Sequence, residues 1–254
     1  MYNVLEARNL KKVYGSRGNL YPALDGIDLQ IKEGEFVGIM GPSGAGKTTL
    51  LNLVASIDNP TGGSIIIDGD DLVTMDEEQL ARFRREKLGF LFQDFNLLDT
   101  LTVKENIVLP LALARAAVAE IEAGVERVAT LLGIRDILGK YPYEISGGQK
   151  QRTAAARAII HNPRLVLADE PTGALDSRSS AELLQCLADL NQKYATTIMM
   201  VTHDAFAASY CRRILFIKDG VLFSELVRGG TRKDFFHQIL DVLAVLGGDN
   251  REFI

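Results

Sequence analysis

The sequence predicts an α/β fold: a largely parallel central sheet, an antiparallel β layer beside it and an inserted α-helical subdomain. Three observations carry this. Residues 36–40 form a continuous apolar run that feeds a glycine-rich loop, Gly41-Pro42-Ser43-Gly44-Ala45-Gly46-Lys47-Thr48, and a helical pattern follows to Ser56. A second buried strand, residues 165–168, leads through a helix near 178–193 into the β-branched and Met-rich run 196–202, which is βαβ alternation. Between them, from Phe95 to about Ile160, helical spacing replaces strand spacing.

Each element follows in order. Residues 5–13 and 24–31 alternate polar and apolar and pair across the turn-rich stretch 15–19, giving the antiparallel layer. Residues 64–67 add a strand closed by Asp68-Gly69. Asp76 and Gln79 are spaced as a capping box that opens a charged helix to Lys87, and 88–92 return to strand. Thr102 and Glu105 are a second box, with apolar periodicity through 118–132. Residues 214–218 and 221–227, joined at Asp219-Gly220, read as a terminal hairpin. The positions Phe235, Phe236, Ile239, Leu240, Leu243 and Leu246 are helical in spacing and end at Gly247-Gly248; their amphipathicity predicts packing against their own domain. The expected division is one domain, with a core from 1–93 and 162–230, a helical subdomain 94–161 and a C-terminal helix 231–254.

Composition narrows the function classes. The 254 residues are 47% hydrophobic and 24% charged, ordinary globular usage. A formal charge of −5 argues against a broad electrostatic grip on nucleic acid, and the strip Arg82, Arg84, Arg85, Lys87 reads as a solvated helix face. Apolar runs such as 107–114 stop well short of the roughly 18 residues a bilayer-spanning helix needs. The first ten residues carry Glu6 and Arg8 and no long apolar segment, so no secretory signal is expected and the chain is placed in the cytoplasm. Cys186 and Cys211 lie far apart without a C-x-x-C partner, as packed, reduced thiols do.

The glycine loop fits the pattern G-x-x-x-x-G-K-[ST] in its required strand-loop-helix setting. Such a loop aims several backbone N–H groups at one point, and Gly41, Gly44 and Gly46 let the main chain curl round a phosphate. Lys47 can reach the β and γ phosphates of a nucleotide, and the Thr48 hydroxyl is placed for Mg²⁺. Asp169, at the carboxyl end of the strand 165–168, sits where open α/β sheets place ligand chemistry and would hold the metal. Glu170 is the candidate for polarising the attacking water. Ser146-Gly147-Gly148-Gln149 opens a helix and is a second anion-binding N-terminus; a helix cap alone would account for Ser146 and leave Gln149 over. A lone histidine at a strand end is ordinarily structural, and His161 and His237 are read so.

Together these motifs resemble the ATP-binding cassette of an ABC transporter, and the resemblance spans nearly the whole chain. Ser146-Gly147-Gly148-Gln149 is similar to the family's signature, Gln93 after Leu91-Phe92 to its Q-loop, Ala174-Leu175-Asp176 to its D-loop, and His203 in Val201-Thr202-His203-Asp204 to its switch histidine. The resemblance implies a P-loop NTPase core with a RecA-like mixed sheet, and ATP and Mg²⁺ as cofactors. It assigns ATP binding to Tyr14, as the aromatic on adenine, with Gly41, Pro42, Ser43, Gly44, Ala45, Gly46, Lys47, Thr48 and Thr49. Catalysis falls to Glu170, His203 and Gln93, the metal to Thr48, Gln93 and Asp169, and communication across the dimer to Asp176.

It further implies a head-to-tail pair of copies, with ATP on one glycine loop touched in trans by Ser146, Gly147, Gly148 and Gln149 of the other. Gln93 would report nucleotide state to the helical subdomain. The segment Phe92-Gln93-Asp94-Phe95-Asn96-Leu97-Leu98 followed by Leu101-Thr102-Val103-Lys104-Glu105-Asn106-Ile107 resembles the branch of macrolide-export and lipoprotein-release ATPases. Residues 150–157 and the tail from Phe235 to Gly248 are similar to bacitracin-type peptide-antibiotic resistance ATPases. The family then implies an integral-membrane permease, a place on the cytoplasmic face of the membrane and often a neighbouring sensor kinase. Phe95, Leu97 and Leu98, beside Gln93, are expected to meet a short permease helix. Rival readings with the same motifs are a cell-division-type ATPase signalling through a membrane protein and a lipoprotein-release ATPase. A chromosome-maintenance ATPase would need long coiled coils between the motif halves, which this sequence lacks.

Overall fold

The computed structural model describes residues 2–16 and 19–247. Arg17 and Gly18, in the expected turn, and Gly248, at the expected end of the last helix, lie outside the described residues. Two long strands, β1 (Asn3–Ser16) and β2 (Asn19–Lys32), pair antiparallel. Both run past the alternating sequence pattern, because backbone pairing continues through exposed ends that no burial pattern marks. Then come β3 (Phe36–Met40), α1 (Lys47–Val54), β4 (Gly62–Ile67), β5 (Asp70–Asp71), α2 (Glu77–Lys87) and β6 (Leu88–Leu91). Helices α3 (Val103–Leu113), α4 (Val118–Leu131) and α5 (Gly147–Ile159) follow, and residues 92–164 contain no strand. The chain closes with β7 (Leu165–Asp169), α6 (Ser177–Tyr194), β8 (Ile198–Val201), α7 (Ala205–Ala208), β9 (Arg213–Lys218), β10 (Val221–Val227) and α8 (Arg232–Gly247).

Two sheets result. One has the order β2-β1-β4-β5, the other β10-β9-β3-β8-β7-β6, in which β9, β3, β8, β7 and β6 are mutually parallel and β10 is an antiparallel edge. The parallel strands read as unbroken apolar runs because both faces are covered. Val37, Ile39, Leu165, Leu167, Met199 and Val201 face the core shared with the antiparallel sheet and α1. Their neighbours Phe36, Met40, Val166, Ala168, Ile198 and Met200 face a second core made with α3 to α6 and α8. That second core is continuous from the sheet into the helical region, so α3 to α5 are packed onto the sheet and not hung from it.

Local chemistry sets the helix starts. Asp76 with Gln79 and Thr102 with Glu105 both close as capping boxes. The helical region begins at Val103 and not at Phe95, because Phe95 and Asn96 are left-handed, with φ of 63° and 49°. Asn106, fully buried, fixes the stretch that follows: its amide donates to the carbonyls of Leu98, Leu101 and Thr102 and accepts from Leu98 N. The two sheets are pinned together by Arg213, which donates to Glu35 at 2.6 and 2.9 Å and to Gln30 O at 2.7 Å.

Candidate functional site

The chemistry-bearing residues gather at one edge. Strands β6, β7, β8 and β3 end side by side, with Leu91 opposite Ala168, Asp169 opposite Val201 and Ile39 opposite Val201. The residues just beyond these carboxyl ends are Gln93, the Asp169-Glu170 pair, Thr202-His203 and the glycine loop. The order β7-β8-β3-β9 also breaks the run of the chain at β3, which is where open α/β sheets form a ligand crevice.

The loop needs its glycines. Gly46 has φ 102° and a Cβ there would lie 2.5 Å from Ala23 O; at Gly41, with φ 154°, it would lie 2.1 Å from Ile217 O. Gly46 is the N-cap of α1, whose first residue is Lys47. The Lys47 ammonium turns back onto its own loop and donates to Gly41 O at 2.8 Å and Pro42 O at 2.9 Å. Burial holds the Lys47 ammonium below its usual range, opposed by the nearby Glu170 and Asp169 carboxylates. Burial, then the charge of Glu170, pushes the Asp169 carboxyl up, and Lys47 partly offsets it. Thr48 and Thr49 line the same cleft as Tyr14 and Lys47. The Tyr14 hydroxyl donates to Asp58 Oδ2 at 2.8 Å.

Glu170 is held on three sides. Its Oε1 accepts from His203 N at 3.0 Å and lies 2.7 Å from His203 Nδ1, while its Oε2 accepts from the Thr202 hydroxyl at 3.1 Å. Its backbone is left-handed, with φ 43°, and its N–H donates to Val201 O at 2.9 Å. A carboxylate so fixed can orient a water, and the imidazole beside it is exposed enough to meet a phosphate. Gln93 lies against Gly173, three residues after Glu170: a Cβ on that glycine would come within 2.8 Å of the amide carbon. The Asp176 carboxylate caps α6 and accepts from Arg178 N, Ser179 N and the Ser179 hydroxyl.

Ser146 and Gln149 correct one expectation. They form a capping box at the start of α5: Gln149 N donates to Ser146 Oγ, and Ser146 N donates to Gln149 Oε1 at 3.0 Å. A cap therefore accounts for both residues. The nearest neighbours of Gly147 beyond its own helix are the side chains of Leu175 and Phe95. Gly148 lies against α6, where an added Cβ would sit 2.7 Å from Ser179 Oγ.

Two residues escape the sequence reading. Thr202, fully buried, carries the donor to Glu170; its only signal is a hydroxyl side chain at the end of an apolar strand. Gln151, also fully buried, donates from Nε2 to Phe92 O at 2.9 Å and Pro171 O at 2.7 Å, tying together the segments that carry Gln93 and Glu170. Its signal is a polar residue on the apolar face of α5.

A groove of about 550 Å³ runs between α2, α3 and the segment after β6, walled by Phe90, Phe92, Leu109, Pro110 and Leu113. Arg157 fixes its rim by donating to Phe95 O at 2.9 Å and Asn96 O at 2.6 Å. Leu97, expected as a contact residue, packs against the core instead, while Leu98 is half exposed. His161 is structural: its Nε2 meets Leu88 O at 3.0 Å, and burial lowers its pKa. Cys211 is buried as expected, but Cys186 is only half-buried.

A glycine loop on a switch-point strand, with an Asp-Glu pair and a histidine on the neighbouring strand ends, defines a nucleoside-triphosphate hydrolase. The chain belongs to the ABC transporter family, whose sequence profile matches residues 24–173. It is 58% identical to YvcR, an ABC transporter ATP-binding protein of Bacillus subtilis (strain 168), over 99% of this chain and 98% of that one. It is 54% identical to the bacitracin export ATP-binding protein BceA of Halalkalibacterium halodurans, over 96% and 97%. Among solved structures, the dimeric post-hydrolysis state of the ATP-binding cassette MJ0796 of Methanocaldococcus jannaschii, bound to ADP and Pi, superposes with a TM-score of 0.79 at 40% identity, covering 89% of this chain and 100% of that one. The protein is an ATP-hydrolysing subunit of the ABC transporter type.

Proposed function

We propose that two copies of this chain, set head to tail, drive an integral-membrane permease that exports or counters bacitracin-type peptide antibiotics. The observation that carries the paired site is the likeness to the MJ0796 cassette, a dimer bound to ADP and Pi. The helix N-terminus at Ser146 to Gln149 is a second anion-binding group, which a head-to-tail pair would bring to the phosphate chain on the other copy's loop. In this reading Lys47 and the loop amides hold the β and γ phosphates, Tyr14 meets adenine, and Glu170 orients the attacking water with His203 and Gln93 beside it. Asp176, at the head of α6, passes the state of one site to the other copy.

Thr48, Asp169 and Gln93 offer only hard oxygen donors, which suits Mg²⁺. Among the described residues no cluster of three or more His, Cys, Asp or Glu side chains could hold a metal. The Thr48, Asp169 and Gln93 side chains would hold the ion, which would supply charge neutralisation on the transferred phosphate.

No described helix is long and apolar enough to cross a membrane. The apolar groove beside α3 suits a short permease helix lying on the cytoplasmic face of the membrane. The peptide-antibiotic substrate rests on the likeness to BceA, a bacitracin export ATP-binding protein, over almost the whole of both chains. In the host strain, a Glu170→Gln replacement is expected to sensitise cells to bacitracin-type peptides and leave macrolide susceptibility unchanged. Unaltered peptide susceptibility would end this assignment. Mass spectrometry of the ATP-loaded Glu170→Gln protein drawn from solubilised membranes should find a large permease; a small division-type membrane protein would favour the signalling alternative.

A further inference from the structure

Tyr14 has a partner that the motif reading passes over. In the β1–β2 ladder Tyr14 stands directly opposite Tyr21, so both rings leave the sheet on one face. Both line the glycine-loop cleft with Gly44, Lys47, Thr48 and Thr49. The Tyr21 hydroxyl donates to Gly44 O at 3.3 Å, at the tip of the loop, where nothing else crowds that glycine. The ring of Tyr21 is 57% exposed and stacks on no other aromatic side chain among the described residues. Tyr14, by contrast, is already engaged: the Lys12 ammonium sits 4.9 Å from its ring centroid, and Lys12 is itself tied to Asn59 O at 2.7 Å. One face of Tyr14 is thus taken, and the larger exposed aromatic surface beside the loop belongs to Tyr21.

We propose that Tyr21 is a second nucleotide-recognition residue, stacking on the purine base of the triphosphate while its hydroxyl steadies the loop tip through Gly44. This rests on the reading of the glycine loop as an ATP site. The base is planar and apolar on its faces, the kind of group an exposed tyrosine ring beside a phosphate cradle can take without reading its edge. Discrimination then lies between nucleotides and base-free polyphosphates and not among purines.

The test is calorimetric binding of ATP and of inorganic tripolyphosphate, each with magnesium, to the full chain and to Tyr21→Ala and Tyr21→Phe. Tyr21→Ala should bind ATP about tenfold more weakly, within the range that base stacking on an aromatic ring supplies, and tripolyphosphate within about twofold of wild type. Tyr21→Phe, which keeps the ring and loses the hydroxyl, should restore ATP binding to within about threefold. Equal weakening of both ligands in Tyr21→Ala would make Tyr21 a strut of the loop and overturn the proposal, as would no weakening of either. A wild-type chain that binds neither ligand would instead remove the glycine-loop reading, a different failure.

Discussion

Asp169 is a carboxylate that the fold disfavours in its charged form. Its pKa is raised by burial and by the neighbouring Glu170, so folding favours the protonated state. The ionised group therefore subtracts stability above its folded pKa, and that loss is recovered as pH falls toward the unfolded value. Asp169→Asn, neutral at every pH, should melt higher than wild type at pH 7 without nucleotide, by at most about 2–4 °C. The difference should shrink as the pH is lowered through the raised pKa, and a scan of melting temperature against pH checks it. A lower melting temperature for Asp169→Asn at pH 7 would contradict this account. Asp169 and Glu170 were legible in the sequence because they close an apolar run, and His203 only through the family resemblance, since a lone histidine at a strand end is ordinarily structural. Thr202 and Gln151 were not, because a hydroxyl or an amide becomes significant only once folding brings its acceptor from a distant segment.

At the scale of elements, the segment after β7 and the segment after β6 are pressed together without a direct covalent or charged link. Gly173 leaves room for Gln93, whose side chain would lie 2.8 to 3.0 Å from an added Cβ. Gly173→Ala should displace that flexible side chain at little cost to folding. ATP hydrolysis is expected to fall about tenfold or more, as a reacting group moves by an ångström, while ATP affinity and melting temperature stay near wild type. Loss of stability with unchanged turnover per folded molecule would show that Gly173 serves packing alone. The capping boxes at Asp76 and Thr102 were legible from spacing, and the one at Ser146 was masked by its family motif. The stretch from Phe95 to the Thr102 cap was read as already helical because nothing in the pattern of Phe95 and Asn96 announces left-handed backbone.

Across the whole molecule, two cores share one sheet, and the helices that carry Ser146 and Asp176 pack on the face away from the antiparallel layer. The parallel sheet was legible because doubly covered strands are apolar throughout, whereas the extent of β1 and β2 was not. Pairing of two copies can be tested by complementation. Ser146→Asp keeps a good helix cap but opposes a phosphate with charge, and Lys47→Ala removes the loop cation. Each variant alone should hydrolyse ATP poorly, and an equimolar mixture should recover activity, because one of the two sites in a mixed pair has both Lys47 and Ser146 intact. A mixture no more active than its components would leave each site within a single chain.

The two bonds from Lys47 to Gly41 O and Pro42 O give nucleotide entry the character of a replacement reaction. An anion that draws the ammonium from these carbonyls must offer acceptors at least as good, at several points together. A triphosphate chain does so along the length of the loop; a single orthophosphate ion does not.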